Sequence, residues 1–348
     1  MLPRWLQWAL LAVAVAVIWQ LLRTEFVHTE RQARSQLKDA AERAFPAQAA
    51  AAHARYGLSR LYPARSENRE VVLVHGLDDP GKVWMNLAPA LGTAGYGVSQ
   101  MTYPNDQPVH DSAALLHASL RPLSRDGVDQ VAIVAHSMGG LVTREMLTNP
   151  VFACGGAHCP IPRVRQLIMI GTPNHGSSLA RFRGLGELRE QFARILAGQA
   201  GWLDWIFDGA GEAGIDITPG SPFLTALNER PPPRGTVMDV IAGVIADDQA
   251  QAMDRLIVES VSGDPALRVA PLAERLGDGL VSLASARLPG VPLHRVQGNH
   301  LSIIRNLDAE DDRVPPAIPI VLELLSADRP TGAVSVSYTH LTLPTTPY

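Results

Sequence analysis

From Val71 onward the chain alternates short apolar, β-branched runs with longer stretches whose apolar residues recur at helical spacing. Val71–Val74 (VVLV) reads as a buried strand ended by His75-Gly76, and Gly97–Tyr103 as a second strand stopped by Pro104. Gln130–Ala135 (QVAIVA), Val164–Ile170, Val237–Ile245 and Val291–Val296 read as four more. Between them Val83–Thr93, Asp111–Leu120 and Gly139–Leu147 read as helices. Unbroken apolar runs belong to strands covered on both faces, and strands that alternate with helices build a mostly parallel sheet. The fold class is therefore α/β. Asn174 to Gly235 departs from the rhythm: it is a long segment with no clear strand and groups Trp202, Leu203, Trp205, Ile206 and Phe207. A long excursion inside a compact fold is usually functional, and residues 176–235 are expected to cap the sheet's working edge. A surface insertion that packs its aromatics inward is the alternative.

The two ends show other patterns. Trp5 to Leu22 (WLQWALLAVAVAVIWQLL) is apolar apart from Gln7 and Gln20 and carries no charge, close to the roughly 20 residues that a spanning helix needs. Trp5, Trp8 and Trp19 stand near its ends, as interfacial rings do. Ala14-Val15-Ala16 offers a signal-cleavage pattern, but the apolar run continues past it. Residues 1–22 are thus expected to form a transmembrane anchor, 23–65 a helical juxtamembrane spacer kinked or ended by Pro46, 66–327 the α/β domain, and 328–348 a tail. Within that tail VSYTHLTLPT resembles a translated sequencing adaptor, so it is expected to lie outside the fold. Arg23, Arg31, Arg34 and Lys38 after the span would hold the body in the cytoplasm. A disulfide would instead need an oxidising compartment. The expected location is the bacterial inner membrane, single-pass, with the body facing the periplasm.

Composition narrows the picture little. The 348 residues are 46% hydrophobic and 18% charged, enough for a large core, and the net charge of −4 gives no nucleic-acid footprint. The two cysteines, Cys154 and Cys159, flank Gly-Gly-Ala-His in one short loop. A disulfide and two free thiols both fit; a metal site with His158 matches no standard zinc spacing.

The chemistry concentrates in a few motifs. Ala135-His136-Ser137-Met138-Gly139-Gly140 joins the QVAIVA strand to the LVTREML helix. A serine lifted on a sharp strand-to-helix turn needs small residues two before and two after it, here Ala135 and Gly139. The helix after the turn aims its amides and dipole at the site, where they favour an anion. An oxyanion needs two backbone donors: Met138 directly after the serine, and Leu77 in His75-Gly76-Leu77.

VVLVHGLDDPGKVW, AHSMGGLVTREM, LIMIGTPNHGSSLA, GDGLVSLASARLPG and GNHLSI, in this order, resemble the bacterial lipase and esterase branch of the α/β hydrolases across about Val71 to Leu325. The resemblance implies an α/β-hydrolase fold, a Ser137 nucleophile, Asp278 as acid in Gly-Asp-Gly-Leu-Val, and His300 as base in Gly-Asn-His. Asp247, Asp248 and Asp264 are rival acids, and His294 is the rival base. His75, His136 and His175 sit in motif positions and are expected to shape the site. Calcium-binding relatives place an Asp two residues after the base; this chain has Ser302 there, and neither calcium nor any cofactor is expected.

The resulting expectation is hydrolysis of a carboxylic ester, with an ester or lipid as substrate and the membrane as the other partner. Acyl transfer to an acceptor other than water uses the same residues and would show itself in competition between acceptors. An inactive tethered scaffold on the same fold would have lost a catalytic residue, and Ser137, Asp278 and His300 are all present.

Overall fold

The computed structural model describes residues 42–65, 69–77, 81–104, 107–153, 159–177, 212–245, 277–307 and 311–327, with residues 36 and 40. Its centre is a seven-stranded sheet in the order β1-β3-β2-β4-β5-β6-β7. The strands are β1 Gly57–Tyr62, β2 Glu70–Val74, β3 Gly97–Thr102, β4 Gln130–His136, β5 Arg163–Ile170, β6 Val237–Val244 and β7 Leu293–Gln297. All six strands from β2 to β7 run parallel, and β1 pairs antiparallel with β3 at the edge. The expected sheet, and its α/β-hydrolase arrangement of helices on both faces, is what the chain forms.

Side chains alternate faces along each strand, so two cores result. Val72, Val74, Ile133, Ala135, Leu167 and Met169 pack with α3 (Val109–Arg125) and α4 (Met138–Thr148). Val71, Leu73, Ala132, Val134, Ile168 and Ile170 face α2 (Leu87–Thr93) and α8 (Ala317–Ser326). Short helices α5 (Glu212–Asp216), α6 (Pro222–Glu229) and α7 (Leu283–Ala286) complete the first layer.

Two expectations about the N-terminal part are corrected. The boundary at residue 65 is too late: α1 occupies Pro46–His53, but Gly57–Tyr62 is β1 and belongs to the sheet. Arg60 on β1 grips the carboxylate of Glu70 on β2 with its Nη1, 2.7 Å from Oε1 and 2.5 Å from Oε2, across β3 at Gly97. A Cβ on Gly97 would lie 2.5 Å from that carboxylate, so the glycine leaves room for the bridge. The single-pass membrane location is also corrected. Among the described residues no helix is long and apolar enough to cross a membrane. The longest, α3, has 17 residues and is amphipathic, with one buried face and charges at Asp111, Arg121 and Arg125. Trp5–Leu22, on which the anchor was expected, lies outside the described residues, as do residues 23–35, 37–39 and 41 of the spacer, the tail, and the cap from 178 to 211 with its aromatic group. The described remainder of the expected cap carries α5 and α6.

Cys159 is disulfide-bonded, and the chain's only other cysteine is Cys154, itself outside the described residues. Of the readings open for this loop, the disulfide is the one that agrees with the state of Cys159.

Candidate active site

Parallel strands bring their carboxyl ends to one edge of a sheet, where α/β folds place their sites. The ladders here align Val74 with Ala135, His136 with Ile170, Ile170 with Ile241, and Val244 with Gln297. The segments that leave those strand ends are therefore neighbours: His75-Gly76-Leu77, Ser137, Gly171, Ile245 and Gly298-Asn299-His300.

Ser137 stands at the turn from β4 into α4 with φ 52° and ψ −127°, the one non-glycine residue with positive φ among the described residues. Such a conformation costs about 1–3 kcal/mol and persists only where the surroundings enforce it. The enforcement is visible. The Ser137 N–H donates to the Ile170 carbonyl at 2.8 Å. A Cβ on Gly76 would lie 2.6 Å from the Ser137 Cβ, and one on Gly139 would lie 2.3 Å from the Val74 carbonyl oxygen. The elbow is thus pressed against the end of β2 at two points where only glycine fits. The second point explains why a small residue is needed two places after the serine. Met138, the first residue of α4, is buried, and its N–H belongs to the helix's first turn, where amides lack intrahelical acceptors. Leu77 directly follows Gly76, beside the elbow.

His300 and Asp278 meet. His300 Nδ1 lies 2.7 Å from Asp278 Oδ2, with both side chains buried. The His300 N–H donates to the Asp278 carbonyl at 2.9 Å. The other carboxylate oxygen, Oδ1, accepts the amides of Leu280 at 2.9 Å and Val281 at 2.8 Å. The Gly-Asp-Gly-Leu-Val motif is therefore a tight turn that closes on its own aspartate. A carboxylate beside Nδ1 fixes the proton there and leaves Nε2 as the bare nitrogen. Both side chains pack over Gly171, where an added Cβ would stand 3.1 Å from Asp278 Oδ2 and from His300 Cε1. Gly171 is next to Ile170, the acceptor for Ser137.

The remaining candidates fall elsewhere. His294 lies within β7 and its Nε2 meets Asp239 Oδ1 at 3.0 Å. Asp247, Asp248 and Asp264 lie outside the described residues. Ser302 Oγ accepts from the Asn299 N–H at 2.9 Å and closes the turn that carries His300. His75 stacks on Tyr103 at 4.3 Å, and the Tyr103 hydroxyl donates to the His75 carbonyl. Burial holds the Tyr103 phenol far above its ordinary pKa.

A polar network behind the elbow was not legible as such. Arg144 on α4 is buried and donates to Asn174 Oδ1 at 3.0 Å and Asn228 Oδ1 at 2.9 Å. Asn228 Nδ2 donates to the Asn174 carbonyl at 2.9 Å. Burial, aided by the charge of Arg230, lowers the Arg144 pKa to about 10. Asn174 Nδ2 also donates to the Ala286 carbonyl at 2.7 Å, so α4, α6 and α7 are tied through one residue, by its side chain and its main-chain carbonyl. The sequence signal was the Asn-His after Gly-Thr-Pro, whose partners lie far along the chain.

Next to it Glu145 accepts from Asn149 Nδ2 at 2.6 Å and Arg230 Nη1 at 2.5 Å, and meets His110 Nδ1 at 3.0 Å. Burial opposes its charge, but hydrogen bonds from His110, Asn149 and Arg230 and the charge of Arg230 outweigh it and hold its pKa below the ordinary carboxyl value. A depressed folded pKa adds stability above the unfolded value, and that stability is lost as pH falls through the folded one. Glu145→Gln is therefore expected to cost about 1.5 kcal/mol near neutral pH. The urea midpoints of variant and wild type should converge as pH falls below about 4. A gap that stays constant with pH would assign the loss to packing.

Comparison with known proteins agrees with this fold. The mature lipase BlEst2 of Bacillus licheniformis superposes with a TM-score of 0.51 at 21% identity, over 77% of this chain and 97% of that one. The lipase of Staphylococcus hyicus does so with a TM-score of 0.51 at 17% identity, over 77% and 96%. At these identities the likeness establishes the fold. No curated protein matches the sequence. The model of the Alpha/beta hydrolase family matches residues 71–314, well over half of the chain and every residue of the site just described, and the chain belongs to that family.

Proposed function

We propose that the chain hydrolyses carboxylic esters, lipid-like ones among them, through an acyl-enzyme on Ser137. The observation that carries this reading is the Asp278–His300 pair. Its 2.7 Å bond and the two amides on the far carboxylate oxygen orient a bare Nε2. That pair packs over Gly171, whose neighbour Ile170 holds the strained Ser137. In the reaction Ser137 Oγ attacks the ester carbonyl carbon and His300 Nε2 takes its proton. The carbonyl oxygen, now an anion, is held by the N–H groups of Leu77 and Met138. As the C–O bond breaks, His300 returns the proton to the leaving alcohol. Water, deprotonated by the same nitrogen, then frees the acid and restores Ser137. Asp278 keeps the Nδ1 proton in place and stabilises the imidazolium. The lipase identity of the two structural neighbours supports the ester class.

The test is hydrolysis of short- and long-chain p-nitrophenyl esters by the purified chain, with an alcohol acceptor added in a second series. Turnover that rises with acyl length supports a lipid-like substrate. Preference for the alcohol over water moves the reading to acyl transfer, and a folded chain silent towards every ester refutes it.

A further inference from the structure

His136 takes no part in the steps above, yet it is enclosed beside them, 2% exposed at the end of β4. Its imidazole lies between two rings. Trp84 meets it edge-on at 6.5 Å and 85°, and the His300 ring lies 4.7 Å away at 48°. His136 Nε2 is 3.0 Å from the main-chain carbonyl oxygen of His300. A carbonyl only accepts, so Nε2 carries the proton and Nδ1 is bare. Nδ1 has no partner among the described residues, and the bond to His300 is the ring's one hydrogen bond there. Burial, then the neighbouring His300, lower the His136 pKa well below the ordinary histidine value; the bond to the His300 carbonyl opposes this, and His75 and Arg305 lower it further. The ring is neutral near neutral pH and its donor stays in place.

The main chain of His300 is consequently held at both ends. Its N–H donates to the Asp278 carbonyl, and its carbonyl accepts from His136. The side chain is held at Nδ1 by Asp278. Asp278 thus supplies two of the three anchors, and the strand that carries Ser137 supplies the third. The first two hold the imidazole and the main-chain N–H to Asp278, and the third ties the His300 main chain to the strand that leads into Ser137.

We propose that His136 is a positioning residue for proton transfer, which fixes the base against Ser137 by donating to the His300 carbonyl and packing on its ring. The inference rests on the triad reading above. Misplacing a reacting pair by about 1 Å can cost ~10²-fold in rate, so the effect is large enough to measure.

The experiment is the second-order rate at which a small fluorophosphonate labels Ser137 in the full chain. It compares wild type, His136→Phe and His136→Gln, with the low-field Nδ1–H proton resonance of His300 recorded for each. The probe makes few contacts beyond its phosphorus, so its rate reports nucleophile and base. Phe keeps the ring and loses the donor; Gln places an amide N–H where Nε2 stood. The expected result is labelling slowed by ~10²-fold in His136→Phe and by less than ~10-fold in His136→Gln. The resonance should broaden in the first and sharpen again in the second. Should phenylalanine unfold the protein, His136→Asn takes its place, because its amide stops at the Nδ1 position, short of the carbonyl. Equal rates in the Phe (or Asn) and Gln variants, or wild-type labelling and an unchanged resonance without the donor, overturn the proposal. A wild type labelled no faster than Ser137→Ala overturns the triad reading itself, and this inference with it.

Discussion

Replacing Ser137 by alanine is expected to leave ester turnover near background, a loss of roughly 10⁵-fold. At 1.36 kcal/mol per decade this is about 7 kcal/mol of transition-state stabilisation. The size reflects the groups that remain. His300 keeps its carboxylate partner and the proposed backbone donors stay in place, so on the proposed mechanism the site would still bind and polarise an ester. It has nothing to attack with except water. The same substitution should leave the melting temperature almost unchanged. Alanine meets the same φ of 52° as serine, and the Ile170 carbonyl still accepts the amide. Activity lost without stability lost therefore identifies the nucleophile, whereas turnover equal to wild type removes Ser137 from the mechanism.

The parts of the fold that could be read from the sequence are those where one physical signal dominates. β2, β4 and β5 are buried on both faces, so their apolar runs are unbroken and their positions stand out. The elbow was readable because it must be built from small residues, and the two clashes a Cβ would make, at Gly76 and Gly139, show why. β1 was not readable. Its middle residues are exposed, only Leu58 and Tyr62 pack against the cores, and the rest of its attachment is backbone pairing and one ion pair, Arg60–Glu70, which leave no apolar pattern. The same holds for the Arg144–Asn174–Asn228 network: its partners are 30 and 84 residues apart in the chain. Polar contacts of that kind are set by the tertiary arrangement. His136 shows the limit most sharply. The motif gives its position, but its value depends on which atom it donates to, and that atom belongs to a residue 164 positions away.

The second large effect is expected from Asp278→Asn, a fall of about 10⁴-fold in kcat/KM at neutral pH with the fold intact. Donor and acceptor counts decide it. Asp278 Oδ1 accepts two backbone amides, from Leu280 and Val281, while Oδ2 faces His300 Nδ1. An asparagine has one acceptor oxygen and one donor nitrogen. The two amides can only donate, so they select the oxygen and turn the NH₂ group towards His300. Nδ1 must then accept, and the imidazole proton moves to Nε2. The base now faces Ser137 with an N–H where it needs a lone pair. Nothing in this exchange changes side-chain volume, and the turn keeps both its amide bonds, so stability should fall by about 1–2 kcal/mol at most. Asp278→Ala removes the orienting group without imposing the wrong tautomer. Comparison of the two variants therefore separates loss of orientation from inversion of the proton: asparagine should be no more active than alanine despite its closer shape. An asparagine variant of near wild-type activity would show that the acid lies elsewhere, at Asp247, Asp248 or Asp264.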